Sequence, residues 1–137
     1  MKVAVRYYTK TGNTEKLAKA VAEAVGAEAL TVDKPLTEDV DVLFLCNSVY
    51  YAGADRRVKS FIDGINVKVG KVVNVSTAAL LESSYSQIKG LVEKKGLTMA
   101  SEEWHCKGQW AKKIHEGSPN AEDLKSVAAF AKSVVGE

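Results

Sequence analysis

Along the whole chain, short apolar runs alternate with apolar positions at helical spacing. Val3-Ala4-Val5-Arg6-Tyr7-Tyr8 reads as a strand. Leu17, Val21, Ala24 and Val25 then recur on one helix face and stop before Gly26, a residue suited to the position just past a helix end. Glu28 to Val32 is a short second strand, and Asp41 to Asn47 is almost continuously apolar, as a strand covered on both faces should be. Val58, Phe61, Ile62 and Ile65 mark a second helix, followed by a strand from Lys71 to Thr77. Ser83 or Ser84 is placed to cap a helix carrying Ile88, Leu91 and Val92, which Gly96 stops. Leu97 to Cys106 is strand-like but polar enough for a sheet edge. Asn120 then opens a last helix, with Asp123 three residues on and a stripe of Leu124, Val127, Ala128, Ala131, Val134 and Val135.

That alternation predicts an α/β fold, a parallel sheet with helices on both faces and right-handed crossovers. The tight point is residues 33–40, between the second and third strands. A parallel crossover usually takes about a dozen residues. Eight extended residues still reach roughly 26 Å. Passing one neighbouring strand and returning along its length needs roughly 20 Å. The connection is therefore expected as a taut segment with at most one helical turn.

Composition narrows the function classes. The 137 residues, 46% hydrophobic and 26% charged, suit a single domain over 1–137 with a real core. Residues 1–68 hold ten Lys and Arg against nine Asp and Glu; the remainder, 19 − 10 = 9 against 17 − 9 = 8, is as balanced. No basic footprint for nucleic acid or a membrane surface stands out, and no apolar run approaches a membrane span. Met1-Lys2-Val3 leads straight into a strand without a signal peptide, and Cys46 and Cys106 have no CxxC spacing. The expectation is a cytoplasmic, monomeric protein with reduced thiols.

The segment with most chemistry is Thr9-Lys10-Thr11-Gly12-Asn13-Thr14, between the first strand and the first helix. In an open α/β sheet this is the carboxyl end of a central strand, where ligands bind. Three Thr hydroxyls can donate hydrogen bonds, Gly12 allows close backbone approach, and the following helix start favours an anion. Neither a GxxxxGK[ST] loop nor a GxGxxG fingerprint is present. The same residues also suit an ordinary helix cap, so composition leaves both readings open.

TKTGNT directly after an N-terminal strand resembles the phosphate-binding loop of the flavodoxin family, and the resemblance extends over essentially the whole chain. It implies a flavodoxin-like doubly wound sheet of five parallel strands in the order 2-1-3-4-5, holding one FMN non-covalently. Thr9, Thr11, Gly12, Asn13 and Thr14 would hold the phosphate, with Lys10 at the variable position and its backbone toward the ligand. The later Asn47-Ser48-Val49-Tyr50-Tyr51-Ala52-Gly53 is similar to the family segment carrying a Tyr-Ala-Gly turn beside the flavin ring. That match singles out Tyr51 for stacking on the ring, with Tyr50 as an extra aromatic; either could instead fill the rim of the sheet. Ser48 and Gly53 offer backbone groups to the ring's polar edge.

A third segment, Ser76-Thr77-Ala78-Ala79-Leu80-Leu81-Glu82, would flank the ring's other side. It departs from the commoner flavodoxin pattern, which is acidic with an aromatic there. Cys46 reads as a small buried hydrophobe. Cys106 lies among Trp104, His105, Lys107 and Trp110, but strand neighbours point to opposite faces, and packing is the simpler role. His115 reads as solvated. Arg56 and Arg57 open the second helix near the expected ring, as a solvated face or a place for partner docking.

Three functions follow, in this order. The first is an electron carrier with FMN as its redox group, meeting redox partner proteins. The second is a small FMN-dependent reductase acting on a quinone or similar acceptor. The third is a flavin-free interaction module. Flavodoxins are typically strongly acidic and dock on basic partners, whereas this chain is at +2. The resemblance therefore does not carry over the usual docking field.

Overall fold

A computed structural model of the chain describes residues 1–8, 12–49, 56–78, 85–106 and 120–136. Its elements run β1 (Val3–Tyr7), α1 (Asn13–Val25), β2 (Ala29–Thr31), β3 (Val40–Val49), α2 (Arg56–Asp63), β4 (Val69–Ala78), α3 (Tyr85–Lys94), β5 (Met99–Cys106) and α4 (Ala121–Val134). The five strands are parallel and ordered β2-β1-β3-β4-β5, so the expected topology is the observed one. β5 is an edge strand, as its polar sequence predicts.

Each face of the sheet is covered by two helices. Leu17, Ala18 and Val21 of α1 and Val127 and Ala131 of α4 pack against Val5, Phe44, Cys46, Val73 and Val75. Val58, Phe61 and Ile62 of α2 and Ile88 and Val92 of α3 pack on the other face against Leu43, Leu45 and Val72. Fully burying one such side chain contributes about 1.5–3 kcal/mol, so these two layers hold the fold.

The helix ends follow local chemistry. Gly26 takes φ 73° at the end of α1, a left-handed conformation that favours glycine. Asn120 and Asp123 exchange side-chain-to-backbone hydrogen bonds in the predicted capping box. Ile65 lies past the end of α2 rather than in its stripe, yet it remains buried.

Residues 33–39 form no helix beyond a turn, in which the Lys34 amide donates to the Thr31 carbonyl at 3.0 Å. Arg6 pins this connection. Its guanidinium is buried and donates to the carbonyls of Lys34 (2.7 Å), Pro35 (3.3 Å) and Val5 (3.1 Å). Burial lowers the Arg6 pKa from its usual value, and three carbonyl acceptors compensate for the lost water. At the amino edge, β4 approaches β3 closely at Gly70, where a Cβ would lie 2.4 Å from the Asp41 carbonyl oxygen. Among the described residues no helix is long and apolar enough to cross a membrane.

Candidate functional site at the carboxyl edge of the sheet

Because the strands are parallel, β1, β3, β4 and β5 all deliver the chain to one edge, at Tyr7, Val49, Ala78 and Cys106. Gly12 stands at the head of α1 with φ 91°. An added Cβ there would meet nothing within 4 Å, so the need for glycine comes from backbone conformation and not from space. The first turn of α1 sets the amides of residues 13–15 at the positive end of the helix. Thr14, in that turn, is fully buried.

The turn is braced from β1. Tyr7 Oη donates to Glu15 Oε2 at 3.2 Å, and Lys19 Nζ lies 3.1 Å from the same carboxylate. The Lys19 contact and then the Tyr7 hydroxyl lower the Glu15 pKa from its usual value. Burial, followed by the Glu15 charge, raises that of Tyr7. One residue on, the Tyr8 hydroxyl accepts from Arg57 Nη1 at 2.7 Å, with the guanidinium carbon 5.2 Å from the Tyr8 ring centroid. The start of α2 is thereby tied to the end of β1.

The second and third predicted segments begin as strands and not as loops. Ser48 pairs with Thr77 and Val49 with Ala78, while Ser76 lies between Asn47 and His105. Pairing with β3 carries β4 one residue past its predicted end and two before its predicted start. These residues are therefore brought together on adjacent strand ends. Thr9, Lys10, Thr11, Tyr50, Tyr51, Ala52 and Gly53 lie outside the described residues, as do Trp110 and His115.

A buried polar row leads up to this edge on the α2–α3 face. Asn47 Nδ2 donates to Asn74 Oδ1 at 2.9 Å and to the Leu45 carbonyl at 3.1 Å, and both asparagines are buried. Ser76 is also fully buried, and its Oγ has no hydrogen-bond partner. Next to it on β5, Glu103 Oε2 lies 3.3 Å from His105 Nδ1. From sequence alone Asn47 opens the second segment without a role of its own, and Asn74 does not stand out. The available signal was a polar residue inside each apolar run, LCN and VVNVS. Cys46, in contrast, faces α1 and α4, and burial pushes its thiol well above the usual range, so it is a core group.

No family model matches the sequence. The chain is 26% identical over 136 residues to an uncharacterized protein of Methanocaldococcus jannaschii, covering 90% of each. Among solved structures, it superposes on a flavodoxin from the domain Archaea with a TM-score of 0.74 and 14% identity, over 98% of this chain and 96% of that one. The azoreductase AzrA superposes with a TM-score of 0.67 and 11% identity, over 97% of this chain and 100% of that one. The fold is flavodoxin-like.

Proposed function

We propose that the protein is an FMN-binding electron carrier of flavodoxin type. The observation that carries this reading is the head of α1. A left-handed Gly12 leads into a helix start whose first turn buries Thr14, on the edge where β1, β3 and β4 end. Such a start favours an anion such as a phosphate. The unpartnered Ser76 hydroxyl, on the polar row reaching the same edge, fits a polar ligand there.

Gly12, Asn13 and Thr14, with Thr9, Lys10 and Thr11 before them, are the residues that would hold the phosphate. Ser48, Val49, Tyr50, Tyr51, Ala52, Gly53, Ser76, Thr77 and Ala78 would line the ring. Bound FMN supplies one- and two-electron chemistry; the protein supplies binding, orientation and charge. The likeness to a flavodoxin along nearly the full chain supports the carrier reading. A small FMN-dependent reductase is the second reading, favoured by the equally full-length likeness to an azoreductase.

Fluorescence titration with FMN and with riboflavin tests the proposal. Thr11→Ala should weaken FMN binding by about 1–3 kcal/mol, the scale of a hydrogen bond to a charged group, and leave riboflavin nearly unaffected. Tyr51→Ala should lower affinity for both ligands and restore part of the quenched flavin fluorescence. Equal losses for both ligands with Thr11→Ala would show that the loop holds no phosphate. A protein that takes up neither ligand removes the carrier and reductase readings together.

A further inference from the structure

Between the β2–β3 connection and α2 runs an open groove of about 470 Å³. Its floor is apolar: Val32 and Phe61 are each 7% exposed, Leu36 and Ile65 6%. These side chains are packed below yet reach the groove surface. Its rim is cationic at the end nearest the candidate flavin site, where Arg56 and Arg57 begin α2 and line the groove. Arg57 is the residue bonded to Tyr8 at the end of β1, which fixes that end of the groove beside the strand leading into the Thr-rich loop. Lys34, exposed, sits in sequence between the lining residues Asp33 and Pro35. The carboxylate among the lining residues, Asp33, accepts a hydrogen bond from the Thr31 hydroxyl.

We propose that this groove docks an acidic segment of the protein that exchanges electrons with this one, an apolar side chain of the partner entering between Leu36 and Phe61. The inference rests on the carrier reading for the partner's role, and on the groove alone for its chemistry. An apolar floor with a cationic rim matches a partner surface of carboxylates around an apolar anchor. A buried apolar contact holds such a complex, while the rim charges raise the rate of encounter and set its orientation. Arg56 opens α2 directly after the segment 50–55, so a partner seated here is brought to the proposed flavin edge. With the overall charge balanced, attraction of an acidic partner falls to local cationic rims such as this one.

The test uses a strongly acidic [2Fe–2S] ferredoxin as probe and a basic c-type cytochrome as control, added to the 15N-labelled protein at low salt. With the ferredoxin, amide shifts should fall on residues 32–36 and 56–65 and fade at high salt. Arg56→Glu and Ser60→Glu, both at exposed positions, should each weaken that binding roughly tenfold at low salt. The cytochrome should leave those amides unmoved. Shifts confined to other surfaces, no binding of the ferredoxin, or charge variants that bind like wild type would overturn the proposal. The titration is run on the protein with and without added FMN. Groove shifts in a protein that takes up no FMN would remove the carrier reading and leave the docking surface standing. FMN uptake with a silent groove would do the reverse.

Discussion

The two faces of the central strands carry different chemistry although they belong to the same residues' backbone. Toward α1 and α4, β3 and β4 present Phe44, Cys46, Val73 and Val75, all fully buried and apolar. Toward α2 and α3 the same strands present Leu43, Leu45 and Val72, and then change to Asn47, Asn74 and Ser76. Side chains alternate between faces at every residue, so the change cannot come from the strands running out. Across these residues the first face stays apolar, from Phe44 to Cys46 and from Val73 to Val75, while the second turns polar at Asn47, Asn74 and Ser76.

That contrast separates stability from binding. A buried polar group left without a partner costs about 1–3 kcal/mol, so a fold keeps such groups only where something satisfies them. Asn47 and Asn74 satisfy each other. The Ser76 hydroxyl has no partner, and Ser76 lies level with Asn47, two residues nearer than Asn74 to the carboxyl end of β4. Both apolar layers therefore carry the fold, and under the proposed function the polar end of the α2–α3 face is where the ligand would meet it.

The largest expected effect breaks the apolar face toward α1 and α4. Phe44→Ala should lower stability by about 3–5 kcal/mol in denaturant titration, through lost burial and the cavity left behind. The folded fraction should bind FMN as wild type does. A loss of affinity with little change in stability would mean that this face shapes the site, and the division between the faces would fail.

Next comes the polar row. Asn74→Leu removes the acceptor of the Asn47 side-chain amide and should cost about 1–3 kcal/mol. Combining it with Asn47→Leu should recover part of that loss, because no buried amide is then left unmatched. If the double variant is worse than the sum of the singles, the two asparagines are held by packing and not by their mutual bond.

Ser76→Ala sharpens the comparison from the other side. With no partner to lose and an unsatisfied hydroxyl removed, it should raise the stability of the ligand-free protein by about 1 kcal/mol. FMN affinity should nevertheless fall severalfold by fluorescence titration. An unchanged affinity would confine the site to the segments beyond the strand ends.

These asymmetries explain how far the sequence could be read. Helix-spaced stripes and apolar runs predict each element in the right order, since burial on two faces leaves its period in the sequence. The taut 33–40 connection is also legible from reach alone, but its anchor is not. Arg6 looks like an exposed strand residue until Lys34 and Pro35 are seen to accept from it. The extra length of β3 and β4 is set by pairing with neighbours distant in sequence, which no local pattern records. For the candidate site, Gly12 and Thr14 lie at the head of α1, the helix start that the sequence pattern predicts. The Asn47–Asn74 contact joins residues 27 apart, and only the parallel register of β3 against β4 brings them together.

The smallest effect tests the bracing of the α1 start. Glu15 accepts from Tyr7 and pairs with Lys19, and these contacts lower its pKa in the folded protein. A carboxylate depressed in this way adds stability that is fully present above its unfolded pKa of about 4.3 and is lost as pH falls through the folded value. The pKa of Tyr7 moves upward, so its part is present below the unfolded tyrosine value and is lost as pH rises through the folded one. Glu15→Gln should therefore be slightly less stable than wild type at neutral pH, with the gap closing as the solution is acidified below the ordinary carboxylate range. Added salt should shrink the Lys19 share, which is exposed, and spare the Tyr7 hydrogen bond, which is partly buried. Thermal unfolding of the two proteins across pH, at low and high salt, reads both effects. A gap that stays constant down to acid pH would show that Glu15 braces the helix start by packing and not by its charge.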